Sequence, residues 1–204
     1  MDRQEYLNQI SMKNQPVKKP RSGIFASKFF WIGIIGVVTF ILIMIIGSAL
    51  GSGNTSVKDK IFGLILHIDN TSELIKEYQS SVKSSDLRSY SASFNGILSD
   101  TSKSLTDYAT EKYNFKAKDV KKEITEEETT AKDGLNAELF EAKINGSLDR
   151  IYAHKMAYEI SLVTTREAQI INSVNNDALK ESLTKSYDSL GVLYDKFNDF
   201  SEAK

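Results

Sequence analysis

The chain has no cysteine among its 204 residues. That excludes disulfides, thiolate metal sites, cysteine nucleophiles and a cysteine-linked lipid anchor. Proline is almost missing as well: Pro16 and Pro20 are the two, so no proline breaks a helix anywhere after residue 20. Histidine is limited to His67 and His154, and neither has a glutamate three residues before it. The Glu-x-x-His pairs of a carboxylate-bridged di-iron bundle are therefore lacking. No Gly-rich phosphate loop and no nucleophile elbow occurs. The formal charge of −1 provides no overall pull toward nucleic acid. These absences argue against an enzyme, against a bound cofactor and against a nucleic-acid partner.

One stretch also lacks charge, and it is the most informative feature. No charged residue lies between Lys28 and Lys58, and residues 29–50 read FFWIGIIGVVTFILIMIIGSAL. As a helix this run is about 33 Å long, against a hydrocarbon core of about 30 Å. Phe29, Phe30 and Trp31 stand at its start and Leu50 at its end, the aromatic rings suiting a headgroup region. Lys13, Lys18, Lys19, Arg21 and Lys28 precede the run, while Lys58 and Lys60 follow it. Such a bias places the N-terminus in the cytoplasm. The charge of each half agrees: residues 1–50 carry six basic and two acidic side chains, the rest 20 and 25. A cleaved signal peptide is the competing reading, with Gly47-Ser48-Ala49 as a small-residue cleavage site, but its apolar region would be shorter. Gly47 and Gly51 form a GxxxG pair that suits close helix–helix contact and hence a homo-oligomer. Gly47 to Gly53 also reads as a flexible exit from the membrane, which the motif's place at the outer end of the run favours. The basic stretch between Pro16 and Pro20 suits anionic headgroups.

After residue 51 apolar residues recur at spacings of three and four, so the outer part is expected to be helical throughout. A first helix over about 57–83 carries the stripe Ile61, Ile65, Ile68, Ile75, Tyr78, Val82, with Ser56 and Asp59 patterned as a capping box. Ser84, Ser85 and Asp86 make a polar break. A second helix follows with Leu87, Tyr90, Phe94, Ile97, Leu98, Leu105 and Tyr108 on one face. Residues 114–147 read as an exposed crossover containing helix, broken near Asp133-Gly134, whose charge run over 116–128 is a solvated face. Val120, Ile124, Ala131, Leu135, Leu139 and Ala142 keep a helical register through it. A helix over about 148–173 turns Leu148, Tyr152, Met156, Val163 and Ile170 inward. Asn175-Asn176-Asp177 turns and caps the last helix, with Leu179, Leu183, Tyr187, Leu190, Leu193, Tyr194, Phe197 and Phe200 as its stripe.

Two helical hairpins joined by a long crossover is the layout of ferritin-like bundles. Asp149-Arg150-Ile151-Tyr152, Met156, Glu159, Ala178-Leu179-Lys180 and Leu190 loosely resemble a bacterial ferritin-like family of unknown function, whose members are often described as periplasmic or outer-membrane proteins. The resemblance covers roughly residues 58–200 and implies a ferritin-like bundle. Members often carry a histidine shortly after the acid that corresponds to Glu159, where this chain has Ile160; the ligand pattern departs there.

Glu159 is the one weak metal candidate, an acid near the inward face between Met156 and Val163, with Arg166 two turns on. The plainer reading makes it a boundary carboxylate that reaches solvent or pairs locally. His154, beside Arg150 and Lys155, reads as a surface residue. Gly23-Ile24-Phe25 faintly resembles a type IV pilin processing site, but Lys28 stands where pilins place a glutamate. The expected organisation is a cytoplasmic basic tail (1–28), a transmembrane helix (29–50), a linker (51–56) and an extracytoplasmic all-α bundle (57–204). Its expected partners are the bilayer and other envelope or membrane proteins, in a structural or interaction role. Ion or small-ligand binding by a ferritin-like domain, or a pilin-like subunit, are the alternatives.

Overall fold

The computed structural model describes residues 56–116, 118 and 120–200; the apolar run, with Phe29, Trp31, Leu50, Gly47 and Gly51, lies outside them. Among the described residues there are five helices and no strand: α1 (Val57–Tyr78), α2 (Ser85–Tyr113), α3 (Lys122–Ile144), α4 (Leu148–Ile171) and α5 (Asp177–Asn198). None of them is long and apolar enough to cross a membrane.

Local chemistry sets the ends. Ser56 Oγ accepts from Asp59 N and starts α1. Ser84 Oγ does the same for Leu87 N in α2, and Asn176 Oδ1 for Leu179 N in α5. The first helix stops at Tyr78, five residues before the expected end, and Ser85 and Asp86 already belong to α2. The reason lies outside the loop itself. Asp149, in the first turn of α4, accepts from Lys83 N (2.9 Å) and Ser84 N (2.7 Å), holding those residues out of the helix. Arg88 Nη1 donates to the carbonyls of Val82 and Lys83, both at 2.8 Å. Gly146 joins α3 to α4 at φ +71°, a conformation that suits a residue without Cβ.

Four helices surround one core in the cyclic order α1, α2, α5, α4, and α3 packs on both α1 and α4. The apolar stripes supply that core: Ile61, Ile68, Ile75, Phe94, Leu98, Tyr152, Met156, Val163, Leu183, Leu190 and Phe197 are fully buried. Phe197 meets Tyr90, Phe94 and Tyr152 with ring centroids 5.8–6.5 Å apart, and Phe62 meets Phe115 at 4.5 Å. Tyr152 OH donates to Ser91 Oγ, which donates to Leu87 O, so a buried phenol is satisfied across the α2–α4 contact. Burial pushes that phenol up to about 12, although Ser91 works against it.

Three expectations are corrected. The crossover helix is unbroken through Asp133-Gly134 and is not merely exposed, since Glu128, Leu135, Leu139 and Ala142 are buried. Gly134 has open space where a Cβ would stand, so nothing steric demands glycine. The roughly 1 kcal/mol cost of a helical glycine is offset by the burial of Leu135 and Leu139 beside it. Ala131 is exposed, because Glu128 takes the inward turn. On α5, Tyr187 is 45% exposed, and Ser186 occupies the inward position between Leu183 and Leu190.

Candidate functional site

The polar interior is concentrated where α1, α3 and α4 meet. His67 of α1 is buried, and its two ring nitrogens address two helices. Nδ1 lies 2.9 Å from Glu128 Oε2 on α3 and Nε2 lies 3.1 Å from Glu159 Oε2 on α4. The first contact is an aligned hydrogen bond. The second has the distance of an ion pair without hydrogen-bond alignment. Glu128 is further held by Arg166 of α4, whose Nη1 is 2.5 Å from Oε1, and its backbone carbonyl accepts from Asn70 Nδ2 at 3.2 Å. Thr71 Oγ1 donates to Glu159 Oε2 at 3.3 Å.

Charge decides the state of the imidazole. With a proton on each nitrogen, His67 and Arg166 balance Glu128 and Glu159 and the quartet is neutral. A neutral imidazole keeping Nδ1–H for Glu128 would set its Nε2 lone pair against the Glu159 carboxylate, acceptor against acceptor. Burial works against the imidazolium. The hydrogen bond of Glu128 and the close carboxylate of Glu159 overcome that and Arg166's repulsion, so His67 is held above its ordinary value. Burial likewise opposes ionisation of Glu128, but His67 and Arg166 hold that carboxyl below its ordinary range.

Beside the quartet a pocket of about 280 Å³ opens between the same three helices. Leu74, Leu135 and Leu162 form part of its wall, and Glu159, Lys132 and Lys155 also line it. The lysines are engaged: Lys132 lies 2.6 Å from Glu73, and Lys155 pairs with Glu138. Glu159 Oε1 makes no hydrogen bond among the described residues and is not sealed from solvent. No three or more His, Asp or Glu side chains among the described residues are grouped to hold a metal ion.

Of the residues singled out from sequence, Glu159 is therefore largely buried and not locally paired: Oε2 meets His67 and Thr71 of another helix, and Oε1 faces the pocket. His154 is exposed, as expected. Asp149 and Tyr152 hold the α1–α2 loop and the α2–α4 contact. Sequence reasoning missed the pairing of His67, the burial of Glu128 and a second acid, Glu167 on α4. Glu167 is 0% exposed, and neither carboxyl oxygen has an aligned hydrogen bond. Burial pushes it up to about 7, while the nearby Ser186 hydroxyl pulls the other way. A signal existed for both acids: Glu128 lies four residues from Ile124 and seven from Leu135, and Glu167 four from Val163 and three from Ile170, each on an apolar register. No protein-family model matches the chain, and no curated protein or solved structure matches it.

Proposed function

We propose that the chain is a single-pass membrane protein with a cytoplasmic N-terminus. Its helical domain then stands outside the cytoplasm and serves as a structural or interaction module of the cell envelope or of a membrane complex, without enzymatic activity. The observation that carries this reading is the uncharged run 29–50, with its basic flank on the N-terminal side, ahead of a helical domain that buries its own apolar stripes. The polar interior supports a non-catalytic role: His67, Glu128 and Arg166 are spent on one another and join three helices. On the outer face of α3, Phe140 and Ile144 stand exposed one turn apart, as residues of an interaction surface do. Protease added to intact spheroplasts tests the topology. Removal of the helical domain is expected, and full protection would overturn the reading.

A second reading, a ferritin-like bundle that binds an ion or small ligand, is favoured by one observation: Glu159 presents an uncommitted carboxylate oxygen beside the α1–α3–α4 pocket. Oxygen ligands suit calcium or magnesium better than softer ions. Elemental analysis of the purified chain after dialysis, with Glu159→Gln as control, separates the two. The first reading expects no stoichiometric iron, zinc or manganese; an equivalent lost in the variant would promote the second.

A further inference from the structure

We propose that the N-terminal half of α3 is a strap over the pocket between α1, α3 and α4, latched through Glu128 by the protonated His67 together with Arg166 and loosened when His67 loses its proton.

The two halves of α3 are held by different forces. Leu135, Leu139 and Ala142 bury the C-terminal half, and Tyr78 OH donates to Asn136 Oδ1 at 2.7 Å. The N-terminal half buries one residue, and that residue is charged: Glu128. Ile124 is half-buried near Gly63. The other pins are one neutral hydrogen bond, Asn70 Nδ2 to the Glu128 carbonyl, and ion pairs with one exposed partner each, Lys121 to Asp59 just ahead of α3 and Lys132 to Glu73; such pairs hold weakly. Weakening Glu128's bond to His67 leaves Arg166 and these lesser contacts to hold about three turns of helix, while the other half stays docked by its leucines. Those turns carry Glu127, Glu128, Thr130 and Ala131 of the pocket wall, so their release exposes Glu159 and His67 to whatever enters.

The latch responds to one proton. From α3, Glu128 faces His67; from α4, Glu159 and Arg166 do; on α1 itself the neighbours are the uncharged Asn70 and Thr71. On the α2 side of α1, Asp69 accepts from Ser102 of α2. Loss of the proton leaves two carboxylates against one guanidinium and one imidazole N–H for both acids, so the bond to Glu128 loses its charge and either Glu128 or Glu159 meets a lone pair. Because His67 titrates above its ordinary value, the latch is closed at acidic pH and loosens as the pH rises through that raised value.

Hydrogen exchange on the full chain in detergent, read between pH 5.5 and 9 and corrected for intrinsic rates, tests this. Protection over residues 122–132 is expected to fall about tenfold relative to α5 as pH rises, the scale on which a hydrogen bond weakens when its donor loses its charge. In His67→Gln the same segment is expected to be loose at every pH, with no step. Glu128→Gln, which keeps the side chain's shape and removes its charge, is expected to behave alike and serves if the first variant does not fold. A pH step of equal size in α3 and α5, no step at all, or a step that survives in either folded variant would overturn the proposal.

Discussion

Replacing Glu167 by glutamine is expected to abolish most of a pH dependence that this one side chain imposes on stability. Its carboxyl is fully buried on α4 without an aligned hydrogen bond, and burial raises it to about 7 from an ordinary 4.5. The sign follows from proton counts. Below about pH 4.5 the acid is protonated in both folded and unfolded chains and costs nothing. Between about 4.5 and 7 the unfolded chain has released a proton that the folded one keeps, so stability falls as pH rises. Above about 7 the loss is complete. At 1.36 kcal/mol per unit, the difference amounts to about 3 kcal/mol. Glutamine cannot ionise, but it buries an amide at a cost of about 1–3 kcal/mol, so the slope is a cleaner readout than the level. Denaturant melts of residues 55–204 from pH 4.5 to 8 measure it. The wild-type domain is expected to lose about 3 kcal/mol more than Glu167→Gln over that range. His67 adds a slope of the same sign at higher pH in both proteins and cancels in the comparison. Equal slopes would refute the reasoning, because they would mean that Glu167 meets water or a partner in the folded domain.

The fragment 55–204 is itself expected to be soluble without detergent and strongly helical by circular dichroism; a need for detergent would count against a self-contained core. Leu190→Ala removes a fully buried side chain from α5 and is expected to cost about 2–5 kcal/mol in the same melts. A loss below about 0.5 kcal/mol would place Leu190 on a surface instead.

Periodicity made the helices legible, because their apolar stripes are long and regular. Ile61 through Val82, Leu87 through Tyr108 and Leu148 through Ile170 contribute the buried residues that spacing assigned to them, with Tyr90 and Ile97 partly buried at the edge. Local polar chemistry was legible where it acts over three residues, as with Ser56 and Asn176. What spacing does not encode is which stripes meet. His67 pairs with Glu128 across 61 positions and with Glu159 on yet another helix, so no local pattern shows that these charges neutralise each other. The charged stretch before Glu128 reads as a solvated face because most of it is one; the single inward acid is hidden among outward ones. Tyr187 misled for the opposite reason. A large apolar ring beside a good stripe reads as core, whereas Leu183 and Leu190 orient α5 so that the small Ser186 faces inward and accepts from Thr101 at 2.7 Å. The early end of α1 depended on Asp149, more than 60 residues away.

The most direct test of the central claim is a reporter fused after Lys204 that is active only once exported. An active fusion is expected, with the basic flank of Lys18, Lys19, Arg21 and Lys28 setting the direction. An inactive export reporter together with an active cytoplasmic one at the same position would place the helical domain inside the cell and contradict the account.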